Sequence, residues 1–273
     1  MKRQIKENLD APDYEQLMLF SMRHARKAGK ILLKNFGKIE SEREKNDKDP
    51  VTNVDLEAQK YYVKQIKRAF PGHGILGEES GSLGDEIGGR EFQWIIDPLD
   101  GTVNYSAGIP LFCTSIGVAR NGESVAGAVY DPILKEMFHA WKGGGAFLNA
   151  KPIKSLERPL RECVIAISLS SNRDKNEFER KLIAELNPSV RRFRALGSIA
   201  HEVCHIAAGR LAASIHTTNT AWDGVAANLI AAEAGCIVTN LDGAQWNLED
   251  KSLVVSANKE IHGTVMKAIN KVK

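Results

Sequence analysis

The chain has 273 residues, 43% of them hydrophobic and 26% charged, an ordinary composition for a folded globular protein. Its 37 basic and 34 acidic residues leave a formal charge of +3, too small an excess to mark a nucleic-acid or membrane-surface protein. No run approaches the roughly 18 apolar residues of a membrane span, the start MKRQIKENLD lacks the apolar core of a secretory signal, and Cys113, Cys163, Cys204 and Cys236 lie far apart without a CxxC pair, which suits a reducing cytosol and a cytoplasmic protein.

Apolar residues Leu17, Phe20, Met22, Ala25, Ala28, Ile31, Leu32 and Phe36 recur at helical spacing between Asp13 and Phe36, with Pro12-Asp13 as a start and Gly37 as a stop. The charged, unpatterned segment KIESEREKNDKDP (38–50) reads as a mobile surface loop. A second helix is expected from about Val54 to Phe70, ended by Pro71-Gly72. Strand-like pieces follow at 75–77, 92–96, 113–119, 123–131 and 135–141, with Asn121-Gly122 as a hairpin turn. Beyond them strands at 163–168, 191–195, 211–217, 236–240 and 253–257 alternate with helices at about 174–186, 198–208 and 222–234, and a last helix runs to Ile269. This alternation predicts a layered α/β architecture without repeats. Pro and charge accumulate between Lys151 and Arg161, a weak boundary within what reads equally well as one unit.

Two motif matches carry little weight. GHGILG (72–77) fits GxGxxG, but a helix precedes it and a strand follows, the reverse of a dinucleotide-binding turn. HEVCH (201–205) fits HExxH on a helix, yet the extended zinc pattern fails at Ala208, and both imidazoles read as packing residues among Ile199, Val203 and Ile206.

The chemistry concentrates in acidic residues at element ends: Asp55 in DPVTNVD, Glu78 and Glu79 in ILGEES, Asp97 and Asp100 after the strand FQWII, and Asp223 at a helix start. Alone, Asp55 or Asp223 is an ordinary helix cap. Asp97 and Asp100 are different, because like charges so close push each other towards the protonated form unless a positive partner sits between them. Pro98 stiffens their spacing, Gly101 admits close approach to its backbone N–H, and Thr102 adds a hydroxyl. If a short helix starts near Thr102, its N–H groups face an anion. Hard oxygen ligands beside an anion cradle fit Mg²⁺ shared between a few carboxylates and phosphate oxygens, with Glu78 and Asp223 completing the set if the fold brings them near. Attack of activated water on phosphorus needs positioning and charge neutralisation more than covalent help, and the chain has no motif for a nucleophilic Ser or Cys.

These segments resemble the inositol monophosphatase family. GEES (77–80), WIIDPLDGTVNYSAGIP (94–110) and WDGVAANLIAAEAG (222–235) are similar to its three signature segments, and DPVTNVD (49–55), GGGAFLNAKPI (143–153) and RALGSIAHEVCHIAAGRLA (194–212) to the stretches between. The resemblance spans nearly the whole chain. It implies an αβαβα sandwich of the inositol monophosphatase and fructose-1,6-bisphosphatase type, one domain over 1–273 with halves at about 1–155 and 156–273, a homodimer, and a Li⁺-sensitive phosphomonoesterase using two or three Mg²⁺ per site. It further implies that Glu78, Asp97 and the Leu99 carbonyl bind one metal, and that Asp97, Asp100 and Asp223 bind another. A third metal, where present, falls to Glu78. Thr102 and Glu78 hold the attacking water, Asp55 supports Thr102, Glu79 stands behind the ligands, and Asp100, Gly101 and Thr102 meet the phosphate end of the substrate.

The substrate end departs from the family. The small-residue segment lining the sugar pocket is Gly197-Ser198-Ile199 here, with a bulkier third residue. His216 stands where animal members carry a glutamate that grips inositol hydroxyls; a neutral imidazole offers one acceptor where a carboxylate offers two oxygens. A strand-end imidazole facing solvent is the other reading of His216. Inositol monophosphate therefore leads as substrate, with fructose 1,6-bisphosphate, histidinol phosphate and a 3′,5′-nucleoside bisphosphate as alternatives; Arg191, Arg192 and Arg194 are candidates for a distal phosphate or a plain basic surface strand. A role as accessory factor of a transcription complex, in contact with nucleic acid, is the alternative from a different class.

Overall fold

The structure, a computed structural model, describes residues 13–38, 42–46, 49–79, 81–82 and 89–273. In chain order the elements are α1 (Tyr14–Asn35), β1 (Glu42–Asn46), β2 (Asp49–Thr52), α2 (Asn53–Ala69), β3 (Gly74–Gly77), β4 (Gly81–Ser82), β5 (Phe92–Asp100), α3 (Thr102–Ser106), β6 (Cys113–Arg120), β7 (Glu123–Asp131), β8 (Glu136–Trp141), β9 (Gly145–Leu148) and β10 (Lys151–Pro152). The second half supplies β11 (Val164–Ile167), α4 (Arg173–Leu186), β12 (Arg192–Arg194), α5 (Ile199–Ala207), β13 (Ala213–His216), α6 (Ala221–Glu233), β14 (Ile237–Thr239), β15 (Leu253–Ser256) and α7 (Lys259–Val272).

The strands form two main sheets, one of eight strands in the order β10-β9-β8-β7-β6-β5-β3-β4 and one of five in the order β12-β11-β13-β15-β14. Alternation along β5 explains the layering. Trp94 and Ile96 face outward to a cluster with Leu17, Ala25 and Ala28 of α1 and Tyr62 and Ile66 of α2. Ile95 faces inward to the larger core shared with α5, α6 and the second sheet. Leu182 and Leu186 of α4 and Ile261, Val265 and Ile269 of α7 cover that sheet's far side. The result is the expected αβαβα sandwich.

Close backbone approach places α6. Gly117 and Gly127 are register partners on β6 and β7. A Cβ on Gly117 would lie 2.7 Å from Val225, and one on Gly127 2.7 Å from Ala226. With both absent, α6 rests directly on the sheet and its first turn, with Asp223, comes down beside the end of β5.

Most expected elements are found within a residue or two. Three expectations change. The charged segment 38–50, read as a loop, contributes β1 and β2, which pair antiparallel with an irregularity between Glu44 and Asn46; residues 39–41 and 47–48 lie outside the described ones. A two-stranded ladder is held by backbone bonds that leave no hydrophobic alternation to read. Second, β5 runs on to Asp100, so the two aspartates end the strand instead of following it, across a register shift between Asp97 and Asp100. Pro98 sits in that shift, where a missing N–H costs no ladder bond. Third, β4, β9 and β10 had no counterpart in the sequence reading, being too short to show a period. The Asn121-Gly122 turn behaves as expected, with φ of 50° and 81°.

Candidate active site

The end of β5 is buried: Asp97, Leu99 and Asp100 are all nearly inaccessible. Asp97 Oδ1 accepts the Leu99 N–H at 3.0 Å, bending the chain so that the backbone turns after the strand. The Asp97 carbonyl accepts the Thr114 hydroxyl at 3.2 Å, and Thr114 in turn meets the Tyr62 hydroxyl at 2.8 Å. Gly101 follows at φ 93°, where a Cβ would stand 2.9 Å from the Leu111 carbonyl, so glycine is required twice over. Thr102 opens the short helix α3 as expected. Its hydroxyl lies 3.0 Å from the Leu99 carbonyl and 3.4 Å from Asp55 Oδ1, a buried carboxylate in the first turn of α2.

Three further elements bring acids to this point. Glu78 leaves β3, its N–H bonded to the Ile96 carbonyl at 3.2 Å. The next N–H, of Glu79, goes to Gln59 Oε1 at 2.9 Å, which ties the GEES turn to α2. Asp223 sits in the first turn of α6, where Oδ2 accepts both the N–H (2.8 Å) and the hydroxyl (2.7 Å) of Thr220. So Thr220 is the cap of α6 and Asp223, three residues on, completes its capping box through Oδ2, with the other oxygen left over for other work. Asp100 meets the N-terminus of α5: it accepts the Ser198 hydroxyl at 2.7 Å, the Ala200 N–H at 2.7 Å and the Ile199 N–H at 3.2 Å.

The electrostatics follow from this crowding. Burial drives the Asp97 carboxyl well above its usual range, and the charges of Glu78, Asp100 and Asp223 push it the same way. Asp223 is raised to about 7 by burial and then by Asp100, against the pull of its Thr220 bonds. Burial also raises Asp100, opposed by its bonds from Ser198 and Ala200. Among the described residues, the charges that act on Asp97 are those of Glu78, Asp100 and Asp223, all negative. Among the described residues, no three His, Cys, Asp or Glu side chains stand ready to enclose a cation with their present bonding. Asp100 has both oxygens engaged by α5, and Asp97 and Asp223 one each. The donor set itself, carboxylates and a carbonyl with no nitrogen or sulfur, fits a hard divalent cation and no softer metal.

Beside Asp100 a cavity of about 200 Å³ is lined by Gly197, Ser198, Ile199, Glu202, His216 and Thr217, among others. The structure thus brings Gly197, Ser198, Ile199 and His216 together, as the sequence reading required. His216 is 6% exposed and ends β13 inside this cavity, so the solvent-facing reading is overturned. Residues the sequence reading missed also shape it. Glu202 was seen only as part of HExxH. Glu179 of α4 is buried and accepts the Ser170 N–H and the Thr217 hydroxyl. The amide of Asn104 ties α3 to the loop before α5, donating to the Leu196 carbonyl at 2.6 Å and the Leu111 carbonyl at 2.8 Å. Helical spacing from Ser198 to Glu202 is the one signal that could have flagged Glu202.

The discounted motifs stay discounted. His201 lies 3.1 Å from Asp131 in the core, while His205 takes Arg210 at 3.1 Å and packs against Phe138. Glu202 points instead to the cavity. In GHGILG, the last four residues are β3 itself, and His73 Nδ1 accepts the Trp94 indole N–H at 3.0 Å. Arg191, Arg192 and Arg194 are exposed around edge strand β12 and do not line the cavity, which leaves them as a basic surface strand.

Comparison with known proteins shows the family and the fold. A family model described as the inositol monophosphatase family matches residues 13–273. The chain is 36% identical over 256 residues to the fructose-1,6-bisphosphatase/inositol-1-monophosphatase of Thermotoga maritima, covering 93% of this chain and 95% of that protein. It is 36% identical over 254 residues to Nus factor SuhB of Vibrio cholerae, covering 90% and 92%. Among solved structures, an IMPase of Thermotoga maritima superposes with a TM-score of 0.86 at 34% identity, covering 94% of this chain and 98% of that one.

Proposed function

The chain belongs to the inositol monophosphatase family, and on that premise we propose that it hydrolyses a small phosphomonoester, with inositol monophosphate as the leading substrate, by attack of water at the end of β5. The observation that carries this reading is the convergence of four acids at the end of β5, where the charges of Glu78, Asp100 and Asp223 add to burial in raising Asp97, and those of Asp100 and Glu78 add to burial in raising Asp223. Mg²⁺ satisfies that arrangement: Glu78, Asp97 and the Leu99 carbonyl would hold one ion, and Asp97, Asp100 and Asp223 another. When bound, such ions acidify water and neutralise charge on phosphate oxygens.

The chain's own groups do the rest. The Thr102 hydroxyl donates its hydrogen bond to the Leu99 carbonyl or to Asp55, so its lone pairs remain to accept a hydrogen bond from the attacking water. Glu78 takes the one proton that the water gives up as it attacks. The N–H groups of Gly101 and Thr102 start α3 without side-chain caps and serve the phosphate. Asp100 spans both regions, because its bonds to Ser198, Ile199 and Ala200 fix the cavity wall relative to the acids. The leaving alcohol occupies the 200 Å³ cavity, where Ser198, Glu202, His216 and Thr217 set a few polar groups in a mainly apolar wall.

The test is phosphate release from inositol 1-phosphate, fructose 1,6-bisphosphate, histidinol phosphate and adenosine 3′,5′-bisphosphate, each with Mg²⁺, with EDTA and with added Li⁺. Mg²⁺-dependent release that Li⁺ inhibits and that disappears in Asp97→Asn supports the reading. No release from any of the four rejects it. The SuhB relative favours a second reading, contact with transcription machinery; RNA polymerase binding that persists in Asp97→Asn separates that role from catalysis. As one domain acting in a homodimer, the protein should elute at twice the 30.0 kDa of one chain. Among the described residues no helix is long and apolar enough to cross a membrane, and four buried free cysteines fit the cytoplasm.

A further inference from the structure

Two buried polar groups in the cavity face each other with no hydrogen-bond partner between them. Glu202 stands in the first turn of α5 and His216 at the end of β13, with Oε2 and Nε2 3.4 Å apart. Both atoms are sealed from solvent and lack a bond. The other carboxyl oxygen is anchored, since Oε1 accepts the Leu196 N–H at 2.8 Å. The Glu202 side chain therefore cannot turn away. On the imidazole, Nε2 is sealed against Glu202 whereas Nδ1 is not among the sealed atoms, which makes Nδ1 the edge that the ring offers to the cavity.

Although the pair stands at ion-pair distance, burial opposes charge on both members. It pushes the His216 imidazolium down to about 4. It pushes the Glu202 carboxyl up to about 7, helped by Asp100 and opposed by the N–H groups of Leu196 and Gly197. The other charged groups around the pair are engaged elsewhere. Glu179 holds Ser170 and Thr217, Lys175 donates to Thr218 at 3.2 Å, and His201, on the same helix as Glu202, turns to Asp131.

A neutral imidazole has a single N–H, so the two ring nitrogens always play opposite roles. With Glu202 protonated, its O–H donates to Nε2 and the ring proton sits on Nδ1. With Glu202 ionised, Nε2–H donates to the carboxylate and Nδ1 becomes an acceptor. We propose that Glu202 is the positioning residue for His216: the proton held between them sets whether Nδ1 donates to or accepts from the substrate. A hydroxyl serves both states, because it can donate and accept. An ether or carbonyl oxygen serves only the donor state, and an ammonium only the acceptor state. The cavity is thereby matched to a polyhydroxylated phosphomonoester. The substrate part rests on the phosphatase reading; the proton exchange between Glu202 and His216 does not.

The test is ¹⁵N NMR of the His216 ring in the full chain between pH 6 and 8, without substrate, in wild type and Glu202→Gln. In the variant the side-chain carbonyl keeps the Leu196 bond while the amide N–H donates to Nε2. Expected are a change of tautomer in wild type with a midpoint near 7 and a permanent Nδ1–H form in Glu202→Gln. Steady-state kinetics then read the substrate side. In wild type, KM for an amino-substituted phosphomonoester falls roughly threefold to tenfold, the worth of one hydrogen bond, from pH 6 to 8, while KM for inositol 1-phosphate stays flat; in Glu202→Gln both stay flat. A His216 tautomer that is constant across this range in wild type overturns the proposal, and needs no variant to show it. Absent hydrolysis with an intact tautomer change rejects the phosphatase reading alone.

Discussion

The two ends of the site are built differently. At the end proposed to take the phosphate, Asp97, Leu99, Asp100, Gly101 and Thr102 are neighbours along the chain, and backbone geometry brings their polar atoms together. At the cavity end, Ser198, Glu202 and His216 come from α5 and β13 and meet only because the second sheet packs against α5. The first end is a local construction that tertiary contacts complete; the second exists only in the folded molecule. Damage at the first should remove chemistry, whereas damage at the second should redirect it.

Asp97→Asn draws this line most sharply. Loss of a mere supporting partner of a metal ligand costs about 10–100-fold, so replacing Asp97, proposed above as a ligand itself, should reduce turnover by about 10³ or more. The folded protein, however, should tolerate it well. Asp97 is held above its usual range by burial and by three acidic neighbours, and an amide removes that repulsion. At pH 8 with EDTA the variant should melt higher than wild type by roughly 2–4 °C, the shift about 1 kcal/mol gives in a domain of this size. Activity lost together with stability means that Asp97 is structural.

Gly117→Ala tests whether the two ends are truly linked through α6. The new methyl meets Val225 at 2.7 Å, and overpacking of this kind costs about 1–3 kcal/mol. Lifting α6 carries Asp223 away from Asp97, so turnover should fall about tenfold to a hundredfold, as for other disturbed ligand supports. The order of substrate preference should not change. A changed preference without lost turnover means that α6 does not position the acids.

Ser198→Ala touches the junction. It removes the 2.7 Å bond to Asp100 while the Ala200 and Ile199 N–H groups remain. A supporting bond to a ligand is worth about tenfold at the low end, and Mg²⁺ titration of activity should show that loss as weaker metal affinity with kcat recovered at saturation.

The same contrast explains what could be read from the chain. The acids of β5 were legible because strand, proline, glycine and hydroxyl are consecutive, and each residue type has a local physical reason to be there. The layers were legible because Trp94, Ile95 and Ile96 are apolar on both sides, the mark of a strand covered on both faces. The end of β5 was misjudged at Pro98, which stops a regular strand but not one that bulges. Hairpin β1–β2 was missed because β1 is almost wholly charged and β2, Asp-Pro-Val-Thr, is four residues with a proline in it. Glu202 was hidden by a better-known pattern: HEVCH draws attention to His201 and His205, whose partners are Asp131 and Arg210, while the glutamate between them faces the other way. Nothing in the sequence says that His216 lies opposite Glu202, since that pairing depends on the parallel registers that set β13 beside β11.

The smallest effect is one of stability against pH, and it probes the cavity end without any substrate. Glu202 is raised to about 7 in the fold from 4.5. Between those values the folded chain binds more protons than the unfolded one, so stability falls as pH rises through the window and levels off above 7. His216 acts in the opposite sense, because its fold-lowered value of about 4 removes stability as pH falls from 6.5 towards 4. Glu202→Gln abolishes the first slope and keeps the second. Measured by urea unfolding, the variant should gain on wild type by on the order of 1–2 kcal/mol between pH 5 and pH 8, less than the full shift because buried carboxyls relax on ionising. Parallel curves for the two proteins mean that Glu202 titrates alike in both states, and the cavity then has no proton to exchange.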